Sequence, residues 1–389
     1  MVSILNKNRC CACSACEQIC PQNAISMERD ALGFSYPKVK TDLCINCGLC
    51  DNVCPIKKEN ETRIPSKVYA LKNKDLNKRK ESSSGGVFSC LAYDVIKNGG
   101  IVYGAAFDKD WNVNHIRVDS VEDIDQLRGS KYVQSKLNDT FKQVKKDLKA
   151  NRKVLFSGCP CQVAGLKSFL KKNYSNLTTV DVVCHGVPNP RIWEEYLKEE
   201  KDFEKSSIEK ISFRDKSTGW KEYSFALTLK KNDSGQIYEK KIKAWSHTYM
   251  QLFLHDFITR QSCHSCHFRN GKSGADMTLC DFWAVEQIHK EFFDDNGVSA
   301  LLSYNSKIPQ CLEEQCAIIS TTYNDVCYGN PAIKKDWPMN KESRIFYILH
   351  DFCGFKLYTS LKISLFIMNK RVSFRKFKGF IKKVIKEFL

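Results

Sequence analysis

Eight cysteines near the start of the chain fall into two identical spacings that are typical of iron-sulfur ligands. The first run is Cys10, Cys13, Cys16 and Cys20 before Pro21, and the second is Cys44, Cys47, Cys50 and Cys54 before Pro55. Both read C-x-x-C-x-x-C-x-x-x-C-P, in which three thiolates hold one [4Fe-4S] cluster and the fourth points to its neighbour. We therefore predict crossed ligation, with one cluster on Cys10, Cys13, Cys16 and Cys54 and the other on Cys44, Cys47, Cys50 and Cys20.

The total number of cysteines supports metal or redox chemistry over disulfides. The chain has 20 cysteines and lacks the long apolar stretch of a secretory signal, so we expect a cytoplasmic protein with reduced thiols. Zinc is the alternative for the first eight cysteines, although zinc sites use two pairs rather than two perfect quartets. Cys11 has no place in either run and is interpreted as a bystander.

A third group of cysteines is predicted at the edge of a sheet. Cys161 follows a strand predicted over 153–158 and begins a helix, whose dipole favours a thiolate at that end. Cys184 follows a second strand, predicted over 177–183. If the two strands are parallel neighbours, both sulfurs emerge at the carboxyl edge of one sheet, where open α/β folds place their ligands.

A later C-x-x-C, formed by Cys263 and Cys266, can complete this third set to four thiolates. Cys159 and Cys280 are competing candidates for membership. The same C-x-x-C is followed by His267 and so matches the attachment signature of c-type haem, although covalent haem generally requires export. Zinc at these cysteines, with a neighbouring histidine as a further ligand, is the other alternative.

The segments that carry these residues alternate between helix and strand patterns, as in an α/β unit. The predicted helices cover 87–98, 141–150 and 162–173, and the predicted strands cover 101–107, 153–158 and 177–183. Short crossovers between such strands favour parallel pairing with right-handed connections. Residues 211–231 depart from this alternation of helices and strands. They contain turn residues between two strand patterns, which predicts antiparallel strands.

A polar stretch over 57–67 separates the first cysteines from the rest and predicts a domain boundary. We predict a mixed α/β chain whose length requires more than one packed unit. Its predicted parts are a ferredoxin-like two-cluster domain over 1–62, a larger domain over 66–148 and 149–335, and a basic tail over 356–389. The third cluster site lies in the 149–335 part.

The formal charge of +17 is concentrated at the end of the chain, where residues 356–389 hold ten Lys or Arg and one acid. The remainder lacks the basic and aromatic clustering of nucleic-acid binders, so we expect no nucleic-acid partner. From Phe374 the apolar residues recur at helical spacing, which predicts a cationic amphipathic helix. Such a helix suits peripheral contact with the inner face of a membrane or docking on protein. No uncharged run reaches the roughly 18 to 20 residues of a membrane span.

A Ser/Gly turn over 82–86 stands directly before the helix predicted over 87–98. Small residues let the backbone approach a ligand, and a helix N-terminus offers free N–H groups to a phosphate. An ordinary helix cap explains the same turn, so the local sequence by itself does not decide whether a cofactor binds there.

Seven stretches, in the same order along the chain, resemble the coenzyme F420 hydrogenase/dehydrogenase beta-subunit family, in the branch with a fused N-terminal ferredoxin. They are SSSGGVFSCLA (82–92), GGIVYGAAFD (99–108), RGSKYVQS (128–135), VLFSGCPCQVAGLK (154–167), VDVVCHGVP (180–188), SFRDKSTGW (212–220) and SCHSCHFRNGKSGADMTLCDFW (262–283). With the ferredoxin segment, the resemblance covers roughly residues 10–330. It implies an FAD-containing oxidoreductase with a third [4Fe-4S] cluster in its flavin domain.

The resemblance also implies roles for individual residues. The Ser-Gly-Gly and Gly-Ser-Lys-Tyr motifs imply flavin contacts at Ser84, Gly85, Gly86, Gly129, Ser130, Lys131 and Tyr132. The family's later cysteines imply that the third cluster is held by Cys161, Cys184, Cys263 and Cys266. The sequence departs from the family at Cys159, where threonine or leucine is usual, and at Cys280, where glycine is common. Both are therefore poor ligand candidates.

Together these parts predict an enzyme that passes electrons between a ferredoxin-like donor and a small organic acceptor, with F420 as one candidate acceptor. The alternative is an electron-transfer subunit without its own substrate, serving a larger oxidoreductase complex, in a branch associated with surface-polysaccharide gene sets. A zinc-stapled scaffold is the third hypothesis. No catalytic residue is assigned, and the candidates are His185 as a proton donor and Arg214 and Lys216 as anion binders.

Overall fold

The computed structural model describes residues 7–305 and 307–370. Its strands are β1 (Ile25–Arg29), β2 (Ser35–Val39), β3 (Lys67–Asn73), β4 (Ile101–Phe107), β5 (Val113–Val118), β6 (Val154–Gly158), β7 (Leu177–Val182), β8 (Ser206–Asp215), β9 (Ser224–Lys231), β10 (Ile237–Lys243), β11 (Met277–Asp281), β12 (Ser299–Ser303) and β13 (Cys316–Ser320). Its helices are α1 (Ala15–Ile19), α2 (Leu49–Asn52), α3 (Leu76–Glu81), α4 (Val87–Lys97), α5 (Ile124–Leu127), α6 (Thr140–Lys149), α7 (Pro160–Leu170), α8 (Pro190–Glu204), α9 (Thr248–Leu254), α10 (Val285–Ile288), α11 (Gln310–Gln315), α12 (Tyr323–Gly329), α13 (Ser343–Tyr347) and α14 (Leu357–Lys370).

The first cysteine segment folds as a small ferredoxin-like unit with two similar halves around the antiparallel pair β1–β2. Helices α1 and α2 each begin after a residue in the left-handed backbone region, Ser14 (φ 56°) and Gly48 (φ 72°). Cys20 and Cys54, which end the two runs, share an extended conformation with φ of −68° and −70°. The repeated spacing therefore produces a repeated backbone geometry, and both halves present their cysteines in the same way.

Within the described residues, the larger unit is built on an eight-stranded sheet in the order β13-β3-β12-β11-β7-β6-β4-β5. Strands β4, β6, β7 and β11 run parallel, whereas β12 pairs antiparallel with both β11 and β3. The parallel pairing predicted for the strands before Cys161 and Cys184 is confirmed, because β6 and β7 are neighbours. Their carboxyl ends therefore meet at one edge of the sheet.

Alternating side chains of the central strands divide the core between the two faces of this sheet. Tyr103 and Phe156 pack with α6 and α7 on one face, whereas Val102 and Leu155 pack with α4 on the other. Burial on both faces explains why these strands read as continuous apolar runs. Each fully buried ring contributes about 1.5–3 kcal/mol relative to leaving it exposed.

Strands β8, β9 and β10 form a separate antiparallel sheet. The antiparallel stretch predicted over 211–231 is thus confirmed, and a third strand extends it. Trp193 of α8 packs on this sheet, with ring centroids 5.0 Å from Phe213 and 4.9 Å from Tyr249 of α9. Phe213 in turn lies 5.2 Å from Phe225. This aromatic core fixes the loop between β8 and β9 beside the edge of the main sheet.

The buried Arg260 holds the first cysteine run against the larger unit. Its Nε donates to the Cys10 carbonyl oxygen at 2.9 Å and its Nη2 to the Ser35 carbonyl oxygen at 3.0 Å. Its Nη1 donates to Gln134 Oε1 at 3.1 Å. A fully buried guanidinium needs such acceptors, so the contact between the two units is specific rather than merely apolar.

The ends of the elements agree with the sequence predictions to within three residues. The helix predicted over 162–173 runs from Pro160 to Leu170, because Lys171 adopts the left-handed conformation (φ 61°) and ends it. The amphipathic stripe predicted from Phe374 lies outside the described residues. Of the helices in 7–305 and 307–370, none combines the length and apolar character that crossing a bilayer requires.

Candidate functional site

One cavity of the small unit is lined by four of the predicted cluster cysteines. They are Cys20, Cys44, Cys47 and Cys50. Cys20 comes from the first run and the other three from the second, which is the grouping that crossed ligation requires. Apolar side chains of the hairpin, including Ile25 and Val39, complete the wall, and Cys47 is exposed. Thiol donors in an apolar wall suit a [4Fe-4S] cluster that lies close to solvent.

The other four thiols of the two runs lie together on the side of the larger unit. Burial raises the pKa of the Cys16 thiol, and the nearby Cys10 and Cys54 thiols raise it further. Cys13 is buried next to Cys16. The structure thus places Cys54 of the second run among three cysteines of the first. Their roles as ligands stay a prediction, which the chemistry of a soft-donor group in a buried site supports.

A larger cavity lies between the small unit and the carboxyl edge of the main sheet. The four cysteines predicted for a third cluster line it, namely Cys161, Cys184, Cys263 and Cys266. The first stands at the start of α7, the second follows β7, and the pair belongs to a 3₁₀ turn, Gln261–Ser265, and its next residue. Gly186 lets this turn approach the sheet, since a Cβ there would lie 2.4 Å from Thr259 Cγ2.

The thiols of this cavity differ in how readily they ionise without a metal. Burial raises the pKa of the Cys266 thiol to about 11. The hydrogen bond with Cys159, assisted by the charge of Arg269, lowers the pKa of Cys184 to about 7. Metal binding would therefore have to release protons from the buried thiols, as cluster assembly does.

Four cysteine thiols are the usual donor set of a [4Fe-4S] cluster. Among the described residues, no three or more His, Cys, Asp or Glu side chains are arranged to hold one metal ion. A [4Fe-4S] cluster spreads its ligands over four separate irons, so its thiolates surround a wider space than the ligands of one zinc ion. Four cysteines around a cavity match that requirement.

The competing candidates occupy different positions. In the described chain, Cys159 and Cys280 are not among the residues that line this cavity. Cys159 precedes α7 with its Sγ 3.9 Å from Cys184 Sγ, and Cys280 lies in β11. His267 does line the cavity, where its Nε2 is 3.3 Å from Arg9 Nε.

Cys11, for which the sequence suggested no role, also lines the third cavity. It packs, as Cys161 and Cys266 do, against a small buried apolar cluster of Ile56, Ala164 and Phe268. Gln134 Nε2 donates to the Cys11 backbone oxygen at 3.3 Å. Cys11 is therefore a fifth thiol beside this cavity, and its interpretation as a bystander stays a prediction. The signal available in the sequence was its place next to Cys10 in an otherwise regular run.

His185 lines the same cavity beside Cys184. Its Nε2 lies 3.0 Å from Asp256 Oδ1, which also accepts a hydrogen bond from Thr259 Oγ1 at 3.2 Å. The ring packs edge-on against Phe253 at 5.1 Å. These contacts fix the orientation of the imidazole.

The two motifs predicted to contact flavin lie side by side near the start of α4. The Ser130 N–H donates to Ser83 Oγ at 2.7 Å, and the two hydroxyl oxygens are 2.9 Å apart. Gly129 adopts φ 83°, and no described atom outside its chain neighbours lies within 4 Å of where its Cβ would stand. A ligand can therefore approach the backbone at this point.

The glycines of the first motif are also required by packing. A Cβ at Gly85 would lie 2.4 Å from a backbone oxygen of β3, and its N–H donates to Ser299 Oγ at 2.9 Å. Gly86 precedes α4 with φ 81°. Ser84 Oγ donates to a carbonyl oxygen before β12 at 3.0 Å. Since these contacts account for the three residues without a cofactor, their role in flavin binding stays a prediction.

Tyr132 and Arg214 meet in a buried polar group at the same edge of the sheet. Arg214 Nη1 donates to Asp281 Oδ2 at 3.0 Å and to the Tyr132 hydroxyl at 3.3 Å. Its guanidinium carbon lies 4.1 Å from the centre of the Tyr223 ring. Although burial opposes ionisation, Asp281 raises the pKa of Arg214, so the cation persists. Arg214 Nε has no hydrogen-bond partner in the described chain, which leaves a buried donor for a polar ligand.

Lys216 and Lys131 are held by backbone oxygens. Lys216 Nζ donates to the carbonyl oxygens of Arg79, Ser84 and Asn296 at 2.5, 2.9 and 2.7 Å. Lys131 Nζ donates to two carbonyl oxygens at 2.9 Å each. Burial lowers the pKa of each ammonium to about 7. Both side chains hold loops around the predicted flavin contacts, and the role of Lys216 as an anion binder stays a prediction.

Two protein families match complementary parts of the chain. Residues 9–58 match the 4Fe-4S dicluster domain, and residues 151–322 match the C terminus of the coenzyme F420 hydrogenase/dehydrogenase beta subunit. The chain therefore carries the C-terminal domain of the coenzyme F420 hydrogenase/dehydrogenase beta subunit behind a 4Fe-4S dicluster domain. The family resemblance of the sequence is thereby confirmed, and so is the mixed α/β fold with its ferredoxin-like unit.

Curated relatives of this chain are similar over parts of their length. The F subunit of F(420)H(2) dehydrogenase from Methanosarcina mazei is 26% identical over 178 residues, 42% of this chain and 49% of the relative. Coenzyme F420-dependent sulfite reductase of Methanocaldococcus jannaschii is 26% identical over 199 residues, 48% of this chain and 29% of the relative. The PorD subunit of pyruvate synthase from Thermotoga maritima is 45% identical over 56 residues, 14% of this chain and 52% of the relative. The chain thus spans about half or less of these relatives.

A solved chain from the F420-reducing [NiFe] hydrogenase complex of Methanosarcina barkeri is similar with a TM-score of 0.45 and 14% identity. The similar region covers 70% of this chain and 90% of that chain.

Proposed function

We propose that this protein is a cytoplasmic iron-sulfur flavoprotein oxidoreductase that passes electrons between a ferredoxin-like donor and a small organic acceptor. The observation that carries the proposal is the grouping of twelve cysteines into three sets of four. The first two sets have the grouping that crossed ligation would require, and the third lines the cavity at the sheet edge. A reduced compartment suits so many free thiols.

The residues of the chain have distinct parts in this proposal. Three clusters would be held by Cys10, Cys13, Cys16 and Cys54, by Cys20, Cys44, Cys47 and Cys50, and by Cys161, Cys184, Cys263 and Cys266. FAD would be held by Ser84, Gly85, Gly86, Gly129, Ser130, Lys131 and Tyr132. Clusters carry single electrons, whereas a bound flavin can collect two and pass them on as a hydride. Arg214 keeps a buried positive charge beside Tyr132, which favours an electron-rich cofactor there.

Coenzyme F420 is the first acceptor to examine. Two relatives carry it in their names, F(420)H(2) dehydrogenase and coenzyme F420-dependent sulfite reductase. The segment of the second relative that matches this chain is 29% of its length, and sulfite chemistry is not part of the proposed function.

Anaerobic purification followed by iron, sulfide and flavin analysis tests the proposal. We expect about twelve irons, about twelve sulfides and about one FAD per chain, and F420 reduction by reduced ferredoxin. About eight irons per chain and no bound flavin would contradict both the third cluster and the proposal that the protein is a flavin enzyme. A preparation that contains zinc with little iron or sulfide would contradict both the clusters and the enzyme. It would support the zinc-stapled scaffold instead.

The second candidate function is an electron-transfer subunit that serves a partner enzyme. Two of the curated relatives are named as subunits, which supports this alternative. This alternative includes a partner in surface-polysaccharide metabolism and a peripheral membrane contact through residues 356–389. Turnover by the isolated chain would contradict this alternative, whereas acceptor reduction only after a partner enzyme is added would support it.

A further inference from the structure

Three buried cysteines lie in the core cluster that packs α4 against the main sheet. They are Cys90, Cys311 and Cys316, whose residues are 1%, 5% and 3% exposed. In the part of the chain that the structure describes, none of them lines either cysteine cavity. The proposed clusters and the proposed FAD contacts therefore leave these three thiols without a role.

Two of the three thiols are in contact. Cys90 Sγ lies 3.7 Å from Cys316 Sγ, although 226 positions of sequence separate the two residues. A disulfide places its sulfurs about 2.05 Å apart, so these sulfurs would have to approach each other by roughly 1.7 Å. Because Cys90 belongs to α4 and Cys316 begins β13, a bond between them would join a helix to a strand of the main sheet.

Asn73 orients the thiol of Cys90. Its Oδ1 accepts a hydrogen bond from the Asp75 N–H at 2.9 Å, which fixes the direction of the amide group. Its Nδ2 donates to Cys90 Sγ at 3.2 Å, and Asn73 is also the register partner of Cys316 between β3 and β13. A donor that faces the sulfur favours its thiolate form, so Cys90 is the better nucleophile of the pair.

The pair lies next to elements that open easily. Among the described strands, β13 is at one edge of the main sheet, and the preceding α11 has six residues. Short elements at an edge open locally at a lower free energy than the centre of a core. A small reagent can therefore reach the two thiols without unfolding of the whole chain.

We propose that Cys90 and Cys316 form a reversible dithiol–disulfide site, which a low-molecular-weight disulfide oxidises. The Cys90 thiolate attacks one sulfur of the reagent and releases a first thiolate, and the Cys316 thiolate then displaces a second from Cys90. The pair loses two electrons and two protons, which leave with two molecules of reduced thiol. The inference goes beyond the proposed function, because it requires neither a cluster nor FAD.

The resting state of the site is the dithiol. Disulfides of cytoplasmic proteins are usually transient and redox-sensing, and the proposed compartment is cytoplasmic. Both thiols are free in the structure. The bond should therefore form when the ratio of disulfide to thiol reagents rises and break when it falls.

Oxidation would change the contacts of the Ser/Gly turn before α4. The Gly86 carbonyl oxygen lies 3.7 Å from Cys90 Sγ and accepts a hydrogen bond from Asn73 Nδ2 at 3.4 Å. A disulfide removes the S–H donor of Cys90 and ties the helix that follows the turn to β13. The oxidised and the reduced protein therefore differ at the turn that carries Ser84, Gly85 and Gly86.

The experiment identifies the disulfide by peptide mapping. Purified full-length protein is incubated anaerobically with cystamine, a small disulfide, then alkylated with N-ethylmaleimide in denaturant and digested with trypsin. Cys90 is the only cysteine of the tryptic peptide 81–97, whereas the peptide 308–334 contains Cys311, Cys316 and Cys327. The variants Cys316→Ala and Cys311→Ala are compared with the wild type, because both remove one buried thiol of the same cluster.

We expect cystamine to link the peptides 81–97 and 308–334 in the wild type, and dithiothreitol to release them. The link should persist in Cys311→Ala. It should be lost in Cys316→Ala, where Cys90 should instead carry one cysteamine as a mixed disulfide, since the second displacement has no thiol. Fragmentation of the linked wild-type peptide should place the bond at Cys316, so the result does not depend on how the variants fold.

Three outcomes would overturn the inference. A wild type in which cysteamine stays on Cys90 would show that the two sulfurs do not reach each other. A link that forms only in urea would show that the folded chain keeps the thiols apart as ordinary core residues. A bond placed at Cys311 or Cys327 would assign the partner elsewhere. The iron, sulfide and flavin contents of the same preparation test the proposed function separately, because the link is read without them.

Discussion

Cysteines of similar sequence context have different surroundings in this protein. Cys161 lines the third cavity at the start of α7, whereas Cys280 lies in β11 outside the set that lines it. Burial raises the pKa of the Cys280 thiol, which keeps it neutral without a metal. At the residue scale, the proposed ligands therefore differ from ordinary buried thiols because they line the cavity.

Replacing Cys161 with serine should remove the third cluster and spare the two N-terminal ones, because a hydroxyl is a poor ligand for this soft-donor site. Iron per chain should fall from about twelve to about eight. The matched control Cys280→Ser should keep about twelve. Unchanged iron in Cys161→Ser, or loss of about four irons in Cys280→Ser, would show that the ligand assignment is wrong.

At the scale of elements, α7 connects the sheet to the first cysteine run. Its first turn carries Cys161, and its middle passes close to Cys13 at Gly165. A Cβ at Gly165 would lie 2.9 Å from Cys13 Cβ and 3.0 Å from Cys13 Sγ. The missing side chain therefore lets the helix and the cysteine run approach each other.

Gly165→Ala should destabilise the protein and weaken retention of the first cluster. Overpacking costs about 1–3 kcal/mol, which outweighs a gain in helix propensity of at most about 1 kcal/mol. The checks are the thermal unfolding midpoint and the iron content under anaerobic conditions. Gly104→Ala is the control, because its Cβ would meet Leu127 only at an ordinary contact of 3.4 Å. A Gly165→Ala variant as stable and iron-rich as the control would contradict this account of the contact.

At the scale of the whole molecule, the two cavities differ in their access to solvent and to other proteins. The cavity around Cys20, Cys44, Cys47 and Cys50 lies at the surface, where Ile45 is 61% exposed. The third cavity lies between the two units. An external electron donor would therefore meet the ferredoxin-like unit first.

Ile45→Glu should lower kcat/KM for a ferredoxin-like donor about tenfold, since a buried carboxylate in an apolar contact costs about 1.4 kcal/mol or more. Reduction by dithionite, a small reagent, should be unaffected. The control is Ile237→Glu, which changes an equally exposed isoleucine (63%) on β10. Equal kcat/KM values for the two variants would place the donor contact elsewhere.

Local patterns in the sequence determined the elements and most members of the candidate sites. The duplicated spacing predicted both cysteine quartets, and the apolar runs before Cys161 and Cys184 predicted the parallel strands β6 and β7. The strand prediction is confirmed, because side-chain alternation is a property of a short stretch of chain. The two quartets stay a prediction that rests on ligand spacing, which is local as well.

Only the tertiary structure decided how distant segments meet. The antiparallel β12 lies between β3 and β11, Arg214 pairs with Asp281, and Lys216 is surrounded by carbonyl oxygens. The sequence also left Cys11 without a role, because the cavity that it shares with Cys161, 150 positions away, depends on how the two units pack. Such contacts are set by the packing energy of the whole chain, which no local spacing or periodicity records.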